Sequence, residues 1–287
     1  MATSKFKTYY YLTKPGIIRG NVITAIGGFL LASRGDFSLG IFVAMLVGIS
    51  AVIASACVVN NYIDRGIDAK MQRTKKRALV AGIVSNQDAL IFAAVLGFIG
   101  LVSLAFTNLL TFSLAIIGYI FYVVIYGYTK RRSSLGTVVG SVSGSIAIVV
   151  GYCSVTNAFD FGAILLFLIM VTWQMPHFYA ISIYRRSDYK AAGIPVLSIT
   201  RGIQTTKVYI LLYIIAFSLV AMALSLFRYT GYIYLLVMLG LSLYWLRLAM
   251  LGFSTKDDNI WAKKVFGFSL IVLLVFSLLI SVEVWLP

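Results

Sequence analysis

The sequence predicts an all-α protein: a polytopic membrane helical bundle of about nine transmembrane helices, with its N-terminus on the cytoplasmic side. Three observations predict it. The chain is 61% hydrophobic and 11% charged, where soluble domains carry about 25% charged residues. The apolar residues gather into nine runs, each near the roughly 20 residues that cross a bilayer core. Lys and Arg fall almost entirely in alternate connections between those runs, as in cytoplasmic loops.

The runs lie near 16–34, 38–61, 88–107, 109–128, 135–155, 160–184, 207–227, 230–251 and 265–285. Little more than Thr107-Asn108 separates the third from the fourth, so these two form a tight helical hairpin. With the N-terminus in the cytoplasm, that side collects Lys14, the basic run from Arg65 to Arg77, Lys130 to Arg132, Arg185 to Lys207, and Lys256 to Lys264. The other side receives only Arg34 and Arg228, and an odd number of spans places Pro287 there. Two cytoplasmic connections are long, 62–87 and 185–206, and both carry Asp among basic residues. Function is expected on that face, and 1–287 reads as one membrane domain. The net charge of +15 does not point to nucleic acid, because it is spread over short loops between spans. Cys57 and Cys153 sit in apolar runs near opposite faces, which argues against a disulfide. No cleavable leader is read, and a bacterial inner membrane is the expected location.

The second run leads into Asn60-Asn61-Tyr62-Ile63-Asp64-Arg65-Gly66-Ile67-Asp68, then Lys70 to Arg77. If the helix continues, Asn60, Asp64 and Asp68 stand at i, i+4 and i+8 and share one face. Like charges so placed repel, so a cation is expected between them. Mg²⁺ fits, because it commonly joins one or two carboxylates to substrate phosphates. The plainer reading is that these acids are solvated helix caps.

The sixth run ends Trp173-Gln174-Met175-Pro176-His177-Phe178-Tyr179 and continues to Tyr184-Arg185-Arg186-Ser187-Asp188-Tyr189-Lys190. His177 is the single histidine. Helical spacing puts His177, Ile181, Tyr184 and Asp188 on one stripe. His177 is a packing residue, a general acid or base, or a contact to a porphyrin or its iron. Asp188 is either part of a surface ion cluster or a second metal or diphosphate contact. Lys130 and Arg131 end the fourth run as membrane anchors, and gain weight by sharing a face with the acidic motifs. Gly136, Gly140 and Gly144, with Ser141 and Ser145, let helices approach closely.

These pieces together resemble the UbiA-type intramembrane prenyltransferases, and within them the haem-farnesylating branch. The resemblance rests on Asn60 to Lys75, on Leu12-Thr13-Lys14-Pro15-Gly16, and on Trp173-Gln174-Met175-Pro176-His177. It rests also on Asp188-Tyr189-Lys190-Ala191-Ala192-Gly193-Ile194-Pro195-Val196-Leu197 and on Ile260 to Phe268. It spans almost the whole chain. Many members carry a second Asp-x-x-x-Asp, whereas Asp188 has Tyr184 four before it and Ala192 four after. Ala78, Ser133-Ser134 and the stretch Gly144-Ser145-Ile146-Ala147-Ile148 also stand where relatives often carry Pro.

The resemblance implies a UbiA-type bundle that transfers a farnesyl group from farnesyl diphosphate to a vinyl group of protohaem IX, giving haem O. Asn60, Asp64 and Asp68 would hold the divalent cation. Arg73, Lys75, Lys130, Arg131, Arg185 and Lys190 would neutralise the diphosphate. His177 would contact the haem, with Tyr184 and Asp188 beside it. A downstream haem-modifying enzyme or a terminal oxidase would be the macromolecular partner, and the bilayer the surrounding medium. Two alternatives stay open: a UbiA-type enzyme with another aromatic acceptor, such as 4-hydroxybenzoate or a naphthoate, and a secondary transporter.

Overall fold

A computed structural model describes residues 5–36 and 38–286; Pro287, expected on the outer side, lies outside them. Among the described residues every regular element is a helix, with no strand. Nine helices of the described residues are long and apolar enough to cross a membrane: Pro15–Ser33, Leu39–Asp68, Asn86–Ala105, Leu109–Thr129, Gly136–Thr156, Phe161–Tyr184, Gly202–Leu226, Tyr232–Ser254 and Asp258–Trp285. They are spans one to nine below, and the chain is a multi-pass integral membrane protein. A short helix, Lys5–Leu12, precedes them.

Local chemistry sets the helix starts. Ser38, Ser85, Asn108, Asp160 and Asp257 each accept a backbone N–H of the first turn, satisfying donors that a helix start leaves free. Span one begins instead with Pro15, whose missing N–H costs nothing there. Lys14, just before it, takes φ 54°, which turns the chain from the short helix into the span.

Spans two, five and six are the most buried, with 56%, 61% and 56% of their apolar windows covered, and spans three and four form the rim, with 22% each. The exposed apolar side chains of the rim, such as Phe98 and Val102, suit hydrocarbon. Small residues bring the central helices together. A Cβ on Gly151 would lie 2.0 Å from the Ala25 carbonyl oxygen, so span five meets span one backbone to backbone. Spans seven to nine are pinned by Lys207, which is fully buried, ion-pairs with Asp258 at 2.6 Å and donates to the Gly252 carbonyl at 2.7 Å.

Two departures from the expected boundaries shape the functional end. Span two does not stop near 61 but runs 30 residues to Asp68. At 1.5 Å per residue that is roughly 45 Å. A hydrocarbon core is about 30 Å thick, so the last turns stand beyond it. The loop that follows is correspondingly shorter, a string of turns over 69–85. The expected 185–206 loop is mostly helical, with short helices Arg186–Ala191 and Leu197–Thr200. Met71 from the first of these connections packs with Ala192 and Ile194 from the second, and the two close over one end of the bundle.

Candidate active site

Beneath that closure lies a cavity of about 650 Å³, within the range of small-molecule sites. Its walls are mostly apolar, and its polar groups concentrate at the basic end. Asn60, Asp64 and Asp68 all face into it and are buried, with exposures of 3%, 6% and 2%. The helical continuation of span two therefore does place the three on one face.

Each member of the row has a cationic partner. Lys14 Nζ donates to Asn60 Oδ1 at 2.8 Å. Lys130 Nζ donates to Asp64 Oδ2. Arg131 Nη2 donates to Asp64 Oδ1 at 3.0 Å and to the Ile63 carbonyl at 2.7 Å. Arg77 Nη1 donates to Asp68 Oδ2 at 2.5 Å. The Thr74 hydroxyl fixes the helix end by donating to the Asp68 carbonyl at 2.8 Å. Burial pulls the Lys14 pKa down to about 8. It lowers that of Lys130 too, against the opposing pull of the Asp64 carboxylate.

The donor set fits Mg²⁺ completed by a phosphate ligand. Among the described residues no group of three or more His, Cys, Asp or Glu could hold a metal. The chain offers two carboxylates and an amide, and the amide Nδ2 of Asn60 is buried without a partner. Mg²⁺ keeps such small protein donor sets where phosphate oxygens complete its octahedron. The lysines and arginines that now neutralise the carboxylates are long enough to turn toward a bound anion.

One wall comes from span four. Its stretch Phe121–Tyr126 is a π-helix, whose wider turn sets residues four apart nearly one above another. Tyr122 and Tyr126 stack there at 5.7 Å and 20°, both facing the cavity, with Lys130 next along. The glycine stripe of span five seats this wall. A Cβ on Gly136 would lie 2.6 Å from Lys130 Cα, and one on Gly140 3.0 Å from the Tyr126 ring. The stripe does pack helices, and what it packs is the site.

The opposite wall comes from spans six and nine. His177 faces the cavity, stacked on Trp173 at 5.0 Å and against Phe266 at 4.8 Å. Its Nδ1 is 2.8 Å from the Ser269 hydroxyl. That hydroxyl donates to the Phe266 carbonyl at 2.6 Å, so it accepts from His177 Nδ1–H. The Nε2 lone pair is then the free nitrogen of the ring. Ser269 also holds Trp173, whose indole N–H donates to its carbonyl at 2.8 Å.

Of the residues expected to contact ligands, Arg73, Lys130, Tyr184 and Arg185 line the cavity, and Arg131 reaches Asp64 from behind. Lys75, Asp188 and Lys190 do not line it. The stripe expected from His177 through Ile181 and Tyr184 reaches the cavity at those three positions and stops there. Span six ends at Tyr184, and Arg185, at φ −108° and ψ 18°, breaks the helix before the next begins. The break turns Asp188 away and brings Tyr189 and Ile194 to Val196 to the cavity instead. Lys14, read from the sequence as cytoplasmic charge and as part of the Leu12 to Gly16 motif, and Arg77, read as basic charge, carry no ligand role there; both line the cavity. The signals were present: Lys14 directly precedes the Pro that opens span one, and Arg77 ends the basic run.

Fold and site together define a membrane-embedded cavity in which buried carboxylates meet a ring of cations. The UbiA prenyltransferase family matches residues 21–277, and the chain belongs to it. Curated relatives carry the name protoheme IX farnesyltransferase. Those of Citrobacter koseri and Shigella flexneri are each 50% identical over 284 residues, covering 98% of this chain and 96% of theirs. Among solved structures, a digeranylgeranylglyceryl phosphate synthase superposes with a TM-score of 0.81 at 20% identity, over 98% of this chain and 99% of that one. A UbiA homologue from Archaeoglobus fulgidus bound to GPP and Mg²⁺ superposes with 0.67 at 14% identity, over 96% and 99%. The chain is a prenyltransferase.

Proposed function

We propose that this chain transfers the farnesyl group of farnesyl diphosphate to a vinyl group of protohaem IX (haem B), giving haem O. The observation that carries the reading is the pairing of two ends in one cavity. Buried carboxylates ringed by Lys14, Arg77, Lys130 and Arg131 stand at one end, and His177 stands on the wall formed by spans six and nine. The likeness to the named relatives supports the acceptor.

In this reading the basic end is the cytoplasmic face, as its Lys and Arg require. The bilayer is a bacterial inner membrane, in keeping with the bacterial relatives. The whole chain works as one membrane domain. The diphosphate lies at the basic end and the farnesyl chain among the apolar side chains.

Asp64 and Asp68, with Asn60, would hold a divalent cation such as Mg²⁺, which would withdraw charge from the diphosphate. Lys14, Arg73, Lys130, Arg131 and Arg185 take the rest of that charge. Stabilising the departing diphosphate is the main catalytic task. The allylic C–O bond breaks, and Tyr122 and Tyr126 face the developing cation with their ring quadrupoles. The vinyl carbon of the haem bonds to C1 of the farnesyl unit, and water adds to the resulting cation and loses a proton. The product carries a hydroxyethylfarnesyl side chain and diphosphate is released. His177 presents Nε2 to the haem, as a ligand to iron or as the acceptor of that proton.

Product mass tests this. Purified protein in detergent receives farnesyl diphosphate, haem and Mg²⁺, with and without a chelator. The expected result is a haem heavier by the hydroxyethylfarnesyl change, absent with the chelator. Diphosphate release with unmodified haem would discard the acceptor and keep the prenyltransferase.

A further inference from the structure

A second, smaller pocket of about 330 Å³ lies between the N-terminal helix Lys5–Leu12 and the turns of 69–85. Lys7, Arg73, Lys76 and Arg77 line it, and no acidic residue does. Among the described residues, the side chains of Lys7, Arg73 and Lys76 have no hydrogen bond or ion pair to any protein group. Cations converging on one concavity without a counter-charge repel each other, and an anion between them removes that repulsion. Asn61 also lines the pocket; it is 3% exposed, spends its Nδ2 on the Leu12 carbonyl at 2.8 Å, and keeps Oδ1 buried without a partner. The pocket thus combines positive charge with an acceptor for a hydroxyl.

Its position narrows the ligand. The N-terminal helix carries exposed Phe6, Tyr10 and Tyr11 beside Lys5 and Lys7, the mixture that settles at the headgroup level of a bilayer. We propose that this pocket is an anion site, separate from the catalytic cavity, that binds a phosphate group: the headgroup of an anionic phospholipid, or free inorganic phosphate or diphosphate. Basic pockets at the membrane surface take such headgroups.

The two sites share a wall. Arg73 and Arg77 line both, and Arg77 is the partner of Asp68. A phosphate in the outer pocket competes with Asp68 for Arg77. Occupancy therefore frees Asp68 for its cation, a consequence that rests on the function proposed above, whereas binding itself does not.

Native mass spectrometry of the purified protein reads binding without any turnover. The probes are phosphatidylglycerol, phosphatidylcholine and inorganic diphosphate. The variants are Lys7→Ala/Lys76→Ala, both exposed positions outside the catalytic cavity, and Lys263→Ala/Lys264→Ala as a control of equal charge. Retention of phosphatidylglycerol over phosphatidylcholine, weakened about tenfold by the first pair and untouched by the second, assigns the site to a lipid headgroup. Diphosphate binding weakened only by the first pair, with no preference between lipids, assigns it to free phosphate. Equal binding of every probe by both pairs would overturn the proposal. In bilayers containing phosphatidylglycerol, the Mg²⁺ concentration for half-maximal turnover should be lower than in phosphatidylcholine alone, and Lys7→Ala/Lys76→Ala should abolish that difference. Lost turnover with binding intact would count against the proposed function and leave the anion site standing.

Discussion

Asp64 and Asp188 look alike in the sequence: each is an acid among basic residues where a span meets the polar face. In the structure they are unlike. Asp64 sits 6% exposed inside the cavity, bound by Lys130 and Arg131. Asp188 sits in the first turn of a six-residue helix, outside the cavity and without an ion pair among the described residues. The difference is one of helix continuity. Span two carries its pattern rigidly past the membrane core to Asp68, so residues four apart stay on one face. Span six is interrupted at Arg185, and the pattern does not carry across. An acid near a membrane face reaches the cavity where an unbroken helix aims it.

The sharpest way to break this comparison is to remove both charges in turn. Asp64→Asn and Asp68→Asn should each lower haem product formation by about 10²–10³-fold, the cost of losing a main stabiliser of developing charge. Asp188→Asn should stay within about twofold, as for a surface site. Chelating Mg²⁺ should match the first pair. A loss at Asp188 equal to that at Asp64 would mean that the short helix Arg186–Ala191 also reaches the diphosphate.

His177 tests the other wall. His177→Ala should abolish the haem absorption change on binding and lower turnover at least tenfold, while the KM for farnesyl diphosphate stays within twofold, because the loss falls on one substrate only. Unchanged haem binding and turnover would remove its assigned role and leave it as packing for Trp173 and Phe266.

The same contrast explains what could be read in advance. The nine spans were legible because length and hydropathy are fixed by the bilayer, and the row Asn60, Asp64 and Asp68 because helical periodicity needs only one rule. Tyr122 and Tyr126 could not be chosen from 18 tyrosines, since their stacking depends on a π-turn that no residue pattern announces. Arg77 reaches back across a string of turns to Asp68, and such a contact has no spacing signature. The break at Arg185 falls where there is neither Gly nor Pro, the usual punctuation.

Position also separates Lys14, before span one, from Lys75 in the basic run. Lys14 lines the cavity and bonds Asn60, whereas Lys75 is exposed and lines no part of it. Lys14→Ala should raise the KM for farnesyl diphosphate about tenfold, in line with loss of a charge-assisted hydrogen bond. Lys75→Ala should change it less than about twofold.

The finest test lies within the Asp188 segment itself. Arg185 is the last residue before the helix break and lines the cavity, with its guanidinium 5.5 Å from the Tyr184 ring centroid. Lys190 is five residues further on, exposed, and does not line it. If the break decides which charges reach the diphosphate, Arg185→Ala should raise the KM for farnesyl diphosphate by about three- to tenfold, and Lys190→Ala should leave it unchanged. Arg185 is itself partly solvated, so its contribution is smaller than that of Lys14 and weakens with salt, as exposed charges do. Equal effects of the two substitutions would show that the segment acts through its summed charge. The helix break would then have no part in choosing the ligands.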